Sequence, residues 1–429
     1  MLTEAKGRMA LLVLVVAAVL AVVLGGSVVT AQGPADIRSV VIFDEDTFGT
    51  RAADHALEAV GAAPIKTIDR ARMAVVYLPS QAAMARLSGQ PGVVSVERDI
   101  VVHATGSAAG GAPAVLKKPP WAGGPSKDGG SDTPPQSTPW GVEAIHADPS
   151  SNAAGGSTGD GINVAVLDTG IDLDHPDLVA NVEGEYMALA EAGRYRKHRA
   201  PDDDNGHGTH VAGIIAAEDN TQGVVGVAPD ADLYAVKVLD QNGSGYVSDV
   251  IDGINWAIDT HDPSVSPSAE DDIHVINMSL GADGGSVDLS VAVSAAEDAG
   301  ILIVAAAGNE GGAVGYPAAY PGVIAVAATN DQDTAPSWSS RGDGKGDDEV
   351  ELAAPGVEIY STYKDGSYDT LSGTSMASPH VAGSAALLWA ANSGWDATDV
   401  RTALIVRAEG LGDAKVYGHG LVQPWEAAQ

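Results

Sequence analysis

Three residues whose types together perform acyl transfer stand at the ends of predicted elements. Asp168 closes the apolar run Ile162-Asn163-Val164-Ala165-Val166-Leu167. A carboxylate at the end of a buried strand is costly unless it is paired, so it points to a task. His207 opens a helical pattern in Asn205-Gly206-His207-Gly208-Thr209-His210, and Ser375 opens another in Gly373-Thr374-Ser375-Met376-Ala377-Ser378-Pro379-His380. Acyl transfer needs a hydroxyl nucleophile, a base to take its proton and a carboxylate to fix the tautomer of the imidazole. Asn309, after Ala305-Ala306-Ala307-Gly308, reads on its own as a turn residue. A rival chemistry would use His207, His210 and the run Asp202-Asp203-Asp204 as metal ligands, since His-x-x-His places both rings on one helical face. No third ligand follows at a settled spacing, and the segment around Ser375 would then have no role.

The elements that must position these groups alternate. Apolar strands are expected at 162–167, 233–238, 275–278, 301–306 and 323–327. Helical patterns lie between and after them at 207–217, 246–257, 287–299 and 375–391. This order implies an α/β fold, a doubly wound and mostly parallel sheet with helices on both faces, with functional groups at the carboxyl ends of the strands.

The N-terminal part differs. Lys6 and Arg8 precede an apolar run from Met9 to Leu24, then Gly25-Gly26-Ser27 and the small-residue site Val29-Thr30-Ala31. That is the pattern of a secretory signal peptide, residues 1–31, and implies a secreted, extracellular protein. With Val28 and Val29 included the run approaches the ~20 residues that span a bilayer, so an uncleaved anchor is the alternative. Residues 37–104 read as a small α+β unit, with strands at 40–43, 74–78 and 93–97 and short helices at 52–60 and 81–87. Residues 105–135 are rich in Gly, Pro and Ser and read as a linker open to proteolysis.

The chain has 429 residues and a formal charge of −34. Residues 1–104 carry 10 acidic and 9 basic side chains, which leaves −33 for the rest. Such a surface excludes a nucleic-acid binder, since a phosphate backbone needs a basic face. Solubility, a high-salt (halophilic) habitat and cation binding each account for the acidity. Cysteine is absent, so no disulfide reports the compartment.

Val166-Leu167-Asp168-Thr169-Gly170, His207-Gly208-Thr209-His210 and Gly373-Thr374-Ser375-Met376-Ala377 resemble the three signature segments of subtilisin-like serine proteases, in that family's order Asp, His, Ser. The resemblance runs over about residues 136–425 and implies a peptidase domain at 136–429. It implies that Asp168, His207 and Ser375 form a triad acting through an acyl-enzyme, and that Asn309 and the Ser375 N–H stabilise the oxyanion, with Thr374 assisting. By the same likeness Gly243-Ser244-Gly245 and Ser279-Leu280-Gly281 pair with an extended substrate backbone. Ala306, Ala307 and Gly308 wall a roomy P1 pocket suited to large apolar side chains, Glu310 at its rim admits basic ones, and Val247 shapes the P4 pocket.

The likeness also implies structural Ca²⁺, held by Gln136, Asp177, Asn220 and the carbonyls of Glu218, Gln222 and Val224, hard oxygen donors as this ion requires. Asp202–Asp204 and Asp343, Asp347 and Asp348 read either as solvated acidic loops or as further cation sites. His210 and His380 are expected to pack or hydrogen-bond inside the domain. Val101-Val102-His103-Ala104 resembles the end of an inhibitory propeptide, so residues 37–104 are expected to form a ferredoxin-like chaperone and inhibitor whose tail lies in the active site. Its partners would be protein and peptide substrates and its own propeptide, with a monomeric enzyme, autoprocessing, and no membrane contact after signal cleavage.

Overall fold

A computed structural model describes residues 36–105, 134–147, 157–189, 201–262, 266, 271–282, 284–344 and 349–424. The predicted signal peptide, most of the Gly/Pro-rich segment, and Asp347 and Asp348 lie outside the described residues.

The chain first builds β1 (Ile37–Phe43), α1 (Arg51–Glu58), β2 (Pro64–Ile68), β3 (Met73–Leu78), α2 (Gln81–Leu87) and β4 (Val93–Arg98). The strands pair antiparallel in the order β2-β3-β1-β4, the split-βαβ connectivity of a ferredoxin-like unit. Thr50 and Ser80 start the helices by accepting hydrogen bonds from the backbone N–H of Ala52 and Ala83, each at 3.2 Å. Period-two alternation decides what each sheet face covers. Val41, Phe43, Val76 and Leu78 pack under α1 and α2, whereas Val40, Met73 and Val75 join the apolar cluster of the larger unit. β5 (Val101–Ala104) follows and leaves this sheet.

The larger unit comprises α3 (Trp140–Ala144), β6 (Asn163–Asp168), β7 (Val182–Met187), α4 (His207–Ala216), β8 (Asp232–Lys237), β9 (Ser244–Tyr246), α5 (Val247–Thr260), β10 (Val275–Met278), β11 (Leu280–Ala282) and α6 (Val287–Asp298). It continues with β12 (Leu302–Ala306), β13 (Val323–Thr329), β14 (Leu352–Pro355), β15 (Ile359–Tyr363), β16 (Ser367–Leu371), α7 (Thr374–Ala391), α8 (Ala397–Arg407) and α9 (Ala414–Tyr417). Seven strands form a parallel sheet in the order β14-β13-β12-β10-β6-β8-β7. Val164 and Val166 of β6 face the cluster containing α4 and α7, and Ala165 and Leu167 face the one containing α5 and α6. The sheet is therefore covered on both sides, which is the doubly wound arrangement expected from the alternating pattern.

After β6 the chain adds strands to one side, and after β8 it crosses to the other with β10. The crevice at the carboxyl ends of β6 and β10 is thus a topological switch point, where open α/β sheets place their ligands. β5 lies in this region as the middle strand of a separate sheet, β11-β5-β9, antiparallel to both neighbours.

Candidate active site

Asp168 ends β6 and is fully buried. Its Oδ1 lies 2.7 Å from His207 Nδ1 and accepts the Thr169 N–H at 2.7 Å. His207 is the first residue of α4, set there by Gly206 at φ +112°, where a Cβ would lie 2.3 Å from the Tyr363 ring. Gly208 is required in turn, since a Cβ there would meet the Gly170 carbonyl oxygen at 2.1 Å. Burial lowers the proton affinity of His207, but Asp168, with a smaller contribution from Asp203, more than offsets it and holds the imidazole pKa above its ordinary value. With Nδ1–H donated to Asp168, a neutral ring keeps Nε2 as an acceptor, and Nε2 is buried with no hydrogen-bond partner among the described residues.

Ser375 sits in the first turn of α7. Pro379, four residues on, has no N–H to give the Ser375 carbonyl, and Ser279 Oγ donates to that carbonyl instead at 2.9 Å. Asn277 Nδ2 donates to Ser279 Oγ at 3.0 Å, and Ser378 Oγ donates to Asn277 Oδ1 at 2.7 Å, so the end of β10 holds the start of α7. Ser375 Oγ donates to the Ser279 carbonyl at 3.0 Å and lies 2.5 Å from Thr105 Oγ1.

Asn309 follows β12. Its Oδ1 accepts from Thr374 N at 2.9 Å and Thr374 Oγ1 at 3.0 Å, which turns its Nδ2 toward the Thr105 carbonyl, to which it donates. Glu310 Oε2 accepts the Asn309 N–H at 2.9 Å, so this exposed carboxylate braces the turn. Gly308 donates its N–H to Thr374 Oγ1 at 3.1 Å.

The two segments read as substrate-pairing strands do pair with an extended chain, and that chain is β5. Ala104, His103 and Val102 oppose Leu280, Gly281 and Ala282 on one side; His103 and Val102 oppose Ser244 and Gly245 on the other. The Ala104 N–H donates to the Gly243 carbonyl at 2.9 Å and the Thr105 N–H to the Ser279 carbonyl at 3.3 Å. Val102 is fully buried in the cluster containing Val247 and Leu280, whereas His103 is exposed and bonds Ser244 Oγ at 3.0 Å. Ala306 and Ala307 are buried. Thr105 had been assigned to the linker; nothing local in the sequence marks a residue whose carbonyl meets Asn309.

Of the other candidates, His210 Nε2 contacts the backbone carbonyls of Ile359 at 3.0 Å and Asp369 at 3.2 Å. Burial pushes its pKa down to about 3 and that of His380 to about 4, so both rings are neutral packing groups. No group of three or more His, Asp or Glu side chains placed to hold a metal occurs among the described residues, and His207 Nδ1 is taken by Asp168, so the two-histidine metal reading finds no support here. Asp203 is neither a solvated loop residue nor a cation ligand. It is buried and accepts five hydrogen bonds, from Thr169 Oγ1, the N–H groups of Asn205, Gly206 and Thr209, and Thr209 Oγ1.

The predicted calcium residues gather around the fully buried carboxylate of Asp177. Its Oδ1 accepts from Asn220 Nδ2 and its Oδ2 from Val224 N, both at 2.9 Å, and its carbonyl accepts the Glu218 N–H at 3.0 Å. Gln136 is held to this loop through its N–H on the Thr221 carbonyl, while its side-chain amide turns to Asp219 at 2.7 Å. Gln222 Nε2 donates to the Pro176 carbonyl at 3.0 Å. Burial pushes the Asp177 carboxyl up to about 6. No salt bridge to Asp177 occurs among the described residues. The residues of the predicted calcium set are thus brought together around a buried carboxylate with no cation beside it, but Asn220 and Val224 meet that carboxylate through N–H donors, and Asn220 Oδ1 accepts the Gln222 N–H at 2.7 Å.

Comparison with known proteins agrees with this geometry. The model of the Subtilase family matches residues 159–420. A thermostable alkaline protease of Halalkalibacterium halodurans is 46% identical over 295 residues, 68% of this chain and 74% of that protein. Subtilisin E of Bacillus subtilis is 46% identical over 300 residues, 68% and 72% of the two chains. Subtilisin Savinase of Lederbergia lenta is 44% identical over 288 residues, 67% of this chain and 97% of that protein. With more than half its length matched by the family model and a carboxylate–imidazole pair at the switch point of a doubly wound sheet, the chain belongs to the subtilase family and is a subtilisin-like serine endopeptidase.

Proposed function

We propose that Ser375 is the nucleophile, His207 the general base and then acid, Asp168 the group that orients His207, and Asn309 with the Ser375 N–H the oxyanion hole. The observation that carries this reading is Thr105, whose carbonyl meets the Asn309 amide while its hydroxyl lies 2.5 Å from Ser375 Oγ. Residues 101–105 occupy the groove as a substrate would, and residues 37–105 act as an inhibitory prosegment that the enzyme cuts from itself.

Ser375 Oγ here donates to the Ser279 carbonyl, so the step requires that hydroxyl to turn to His207 Nε2, which has no hydrogen-bond partner among the described residues. Ser375 Oγ adds to the Thr105 carbonyl carbon as its proton passes to His207 Nε2, the nitrogen left open as an acceptor. The oxyanion that forms is met by Asn309 Nδ2 and the Ser375 N–H at the start of α7. Collapse breaks the bond from Thr105 to Gly106, with His207 returning the proton to the Gly106 nitrogen, and water then hydrolyses the ester. Polypeptide substrates take the same path, with Val102 marking the apolar P4 site beside Val247. Ala306, Ala307 and Gly308 leave room for large apolar P1 side chains. A signal peptide at residues 1–31 would deliver the enzyme outside the cell.

The mature chain should begin at Gly106. N-terminal sequencing and intact mass of the secreted product check this, and a start at Gln136 would show that Thr105 is not the cleaved residue.

Calcium at the Asp177 loop would supply the missing positive charge; Asp177 and the carbonyls of Glu218, Gln222 and Val224 would hold it. Asn220 joins the donor set only if its amide turns from Asp177 and the Gln222 N–H, and Gln136 only if its amide turns from Asp219. A carboxyl raised in the folded state gives stability that is present below its unfolded value and lost as pH rises through about 6. A cation reverses that loss. Saturation a hundredfold above Kd is worth ~2.7 kcal/mol, or roughly 5–10 °C in Tm for a domain of this size. A chelator should therefore lower Tm by that amount at pH 8 and barely at pH 4, and Asp177→Asn should abolish the difference. Equal melting points with and without calcium at pH 8 would remove the site.

A further inference from the structure

Lys237 ends β8 directly opposite Asp168 of β6, and only 2% of its surface is exposed. Its Nζ donates to the carbonyl of Thr169, the residue after Asp168, and to Oδ1 of Asp204 at 2.7 Å. Asp204 lies three residues before His207, so one ammonium touches both loops that deliver the charged pair. The second loop is held from its other side as well. Lys364 Nζ donates to the Asp204 carbonyl at 2.9 Å and Tyr363 Oη to the Asn205 carbonyl at 3.1 Å.

A buried ammonium is expensive to desolvate, and apolar groups of similar volume commonly serve stability equally well. What an apolar side chain cannot do is hold a carbonyl of one loop and a carboxylate of the other at fixed distance. We propose that Lys237 is a positioning residue that brackets the loop after Asp168 to the loop before His207 and so fixes the imidazole–carboxylate contact. The inference rests on the triad assignment above. Its energetic scale follows from orientation, since a shift of about 1 Å in a catalytic group costs on the order of a hundredfold in rate.

The test uses secreted enzyme whose active sites are titrated with a fluorophosphonate, so that rates are per functional site. Lys237→Met is expected to lower kcat roughly ten- to a hundredfold with KM within about twofold. Loss of the cation leaves Asp204 unpaired and should move the acid limb of the kcat/KM profile to higher pH. The groups facing His207 are Asp168, Asp203 and His210, and all are unchanged in that variant.

Asp204→Asn, at a partly exposed position that should fold whatever Lys237→Met does, leaves the cation unpaired and should move the limb the opposite way, with a smaller fall in kcat. The double variant should return the limb toward the parental position. A purely structural role would lower Tm and the titrated fraction while leaving per-site kcat and the acid limb in place, and that result in both single variants overturns the bracket. A His207→Ala chain that stays active would overturn the triad assignment and the bracket together, whereas an inactive His207→Ala beside parental kinetics in both single variants would overturn the bracket alone.

Discussion

A chain carrying Ser375→Ala is expected to accumulate uncut, with residues 37–105 still joined to the rest, and to hydrolyse peptides about 10⁶-fold more slowly than the parent, the size known from subtilisin itself. The two losses share one origin. Ser375 Oγ lies 2.5 Å from Thr105 Oγ1, so in the proposed reading the intramolecular cut and the attack on foreign chains use the same atom. The fold should survive, because the hydroxyl bonds only the Ser279 carbonyl and Thr105, and the Ser279 bond to the Ser375 carbonyl does not involve it. Mass measurement of the purified protein and a fluorogenic peptide assay check both. Normal removal of the N-terminal unit in this variant would show that another protease performs the cut.

Asn309→Leu should lower kcat by about 10²–10³, again the size established for the corresponding amide of subtilisin, with KM within about threefold. The donor already meets the Thr105 carbonyl, but the charge it opposes grows only in the transition state, so ground-state binding, carried mainly by β9 and β11, is largely spared. Thr374 N and Oγ1 also lose their acceptor, and a lower Tm should accompany the kinetic effect. Per-site rates separate the two. A fall in kcat under threefold, or a loss confined to KM, would remove Asn309 from the oxyanion hole. Self-cutting should slow by a similar factor, so uncut precursor would persist for longer in this variant.

What could be read in the sequence was local. Asp168, His207, Ser375 and Asn309 each sit in a short run where glycine, strand end or helix start reveals the backbone, and the alternation of apolar runs gave the doubly wound sheet. Contacts between distant segments were not readable. Asp203 and Asp204 looked like solvent-facing acids because their partners, Thr169 and Lys237, lie 34 and 33 residues away. Thr105 begins a stretch whose composition says linker, and only the groove reveals it as the residue beside Ser375. β7, with Glu183 and Glu185 at the sheet edge, lacks an apolar run, and the hairpin of β15 and β16 is too polar on one face to stand out. β14, at the other edge of the sheet, is only Leu-Ala-Ala-Pro, and burial of all four residues rather than propensity makes it a strand.

The order of the parallel sheet bears on how the chain folds at all. β6 pairs with β8 and β10, strands that begin about 70 and 110 residues later, so the sheet cannot zip up from neighbouring segments. Closing such loops loses entropy before any contact returns it, and the barrier rises accordingly. Val40, Met73 and Val75 of the N-terminal sheet lie in the same apolar cluster as α5 and α6. The N-terminal unit closes shorter loops, none longer than the 59 residues from Ser39 to Arg98, and can offer these side chains as a surface on which α5 and α6 assemble. If the proposed cut removes that surface, any barrier it had lowered would stand again between the finished enzyme and its unfolded chain, and persistence would become a matter of rate rather than equilibrium.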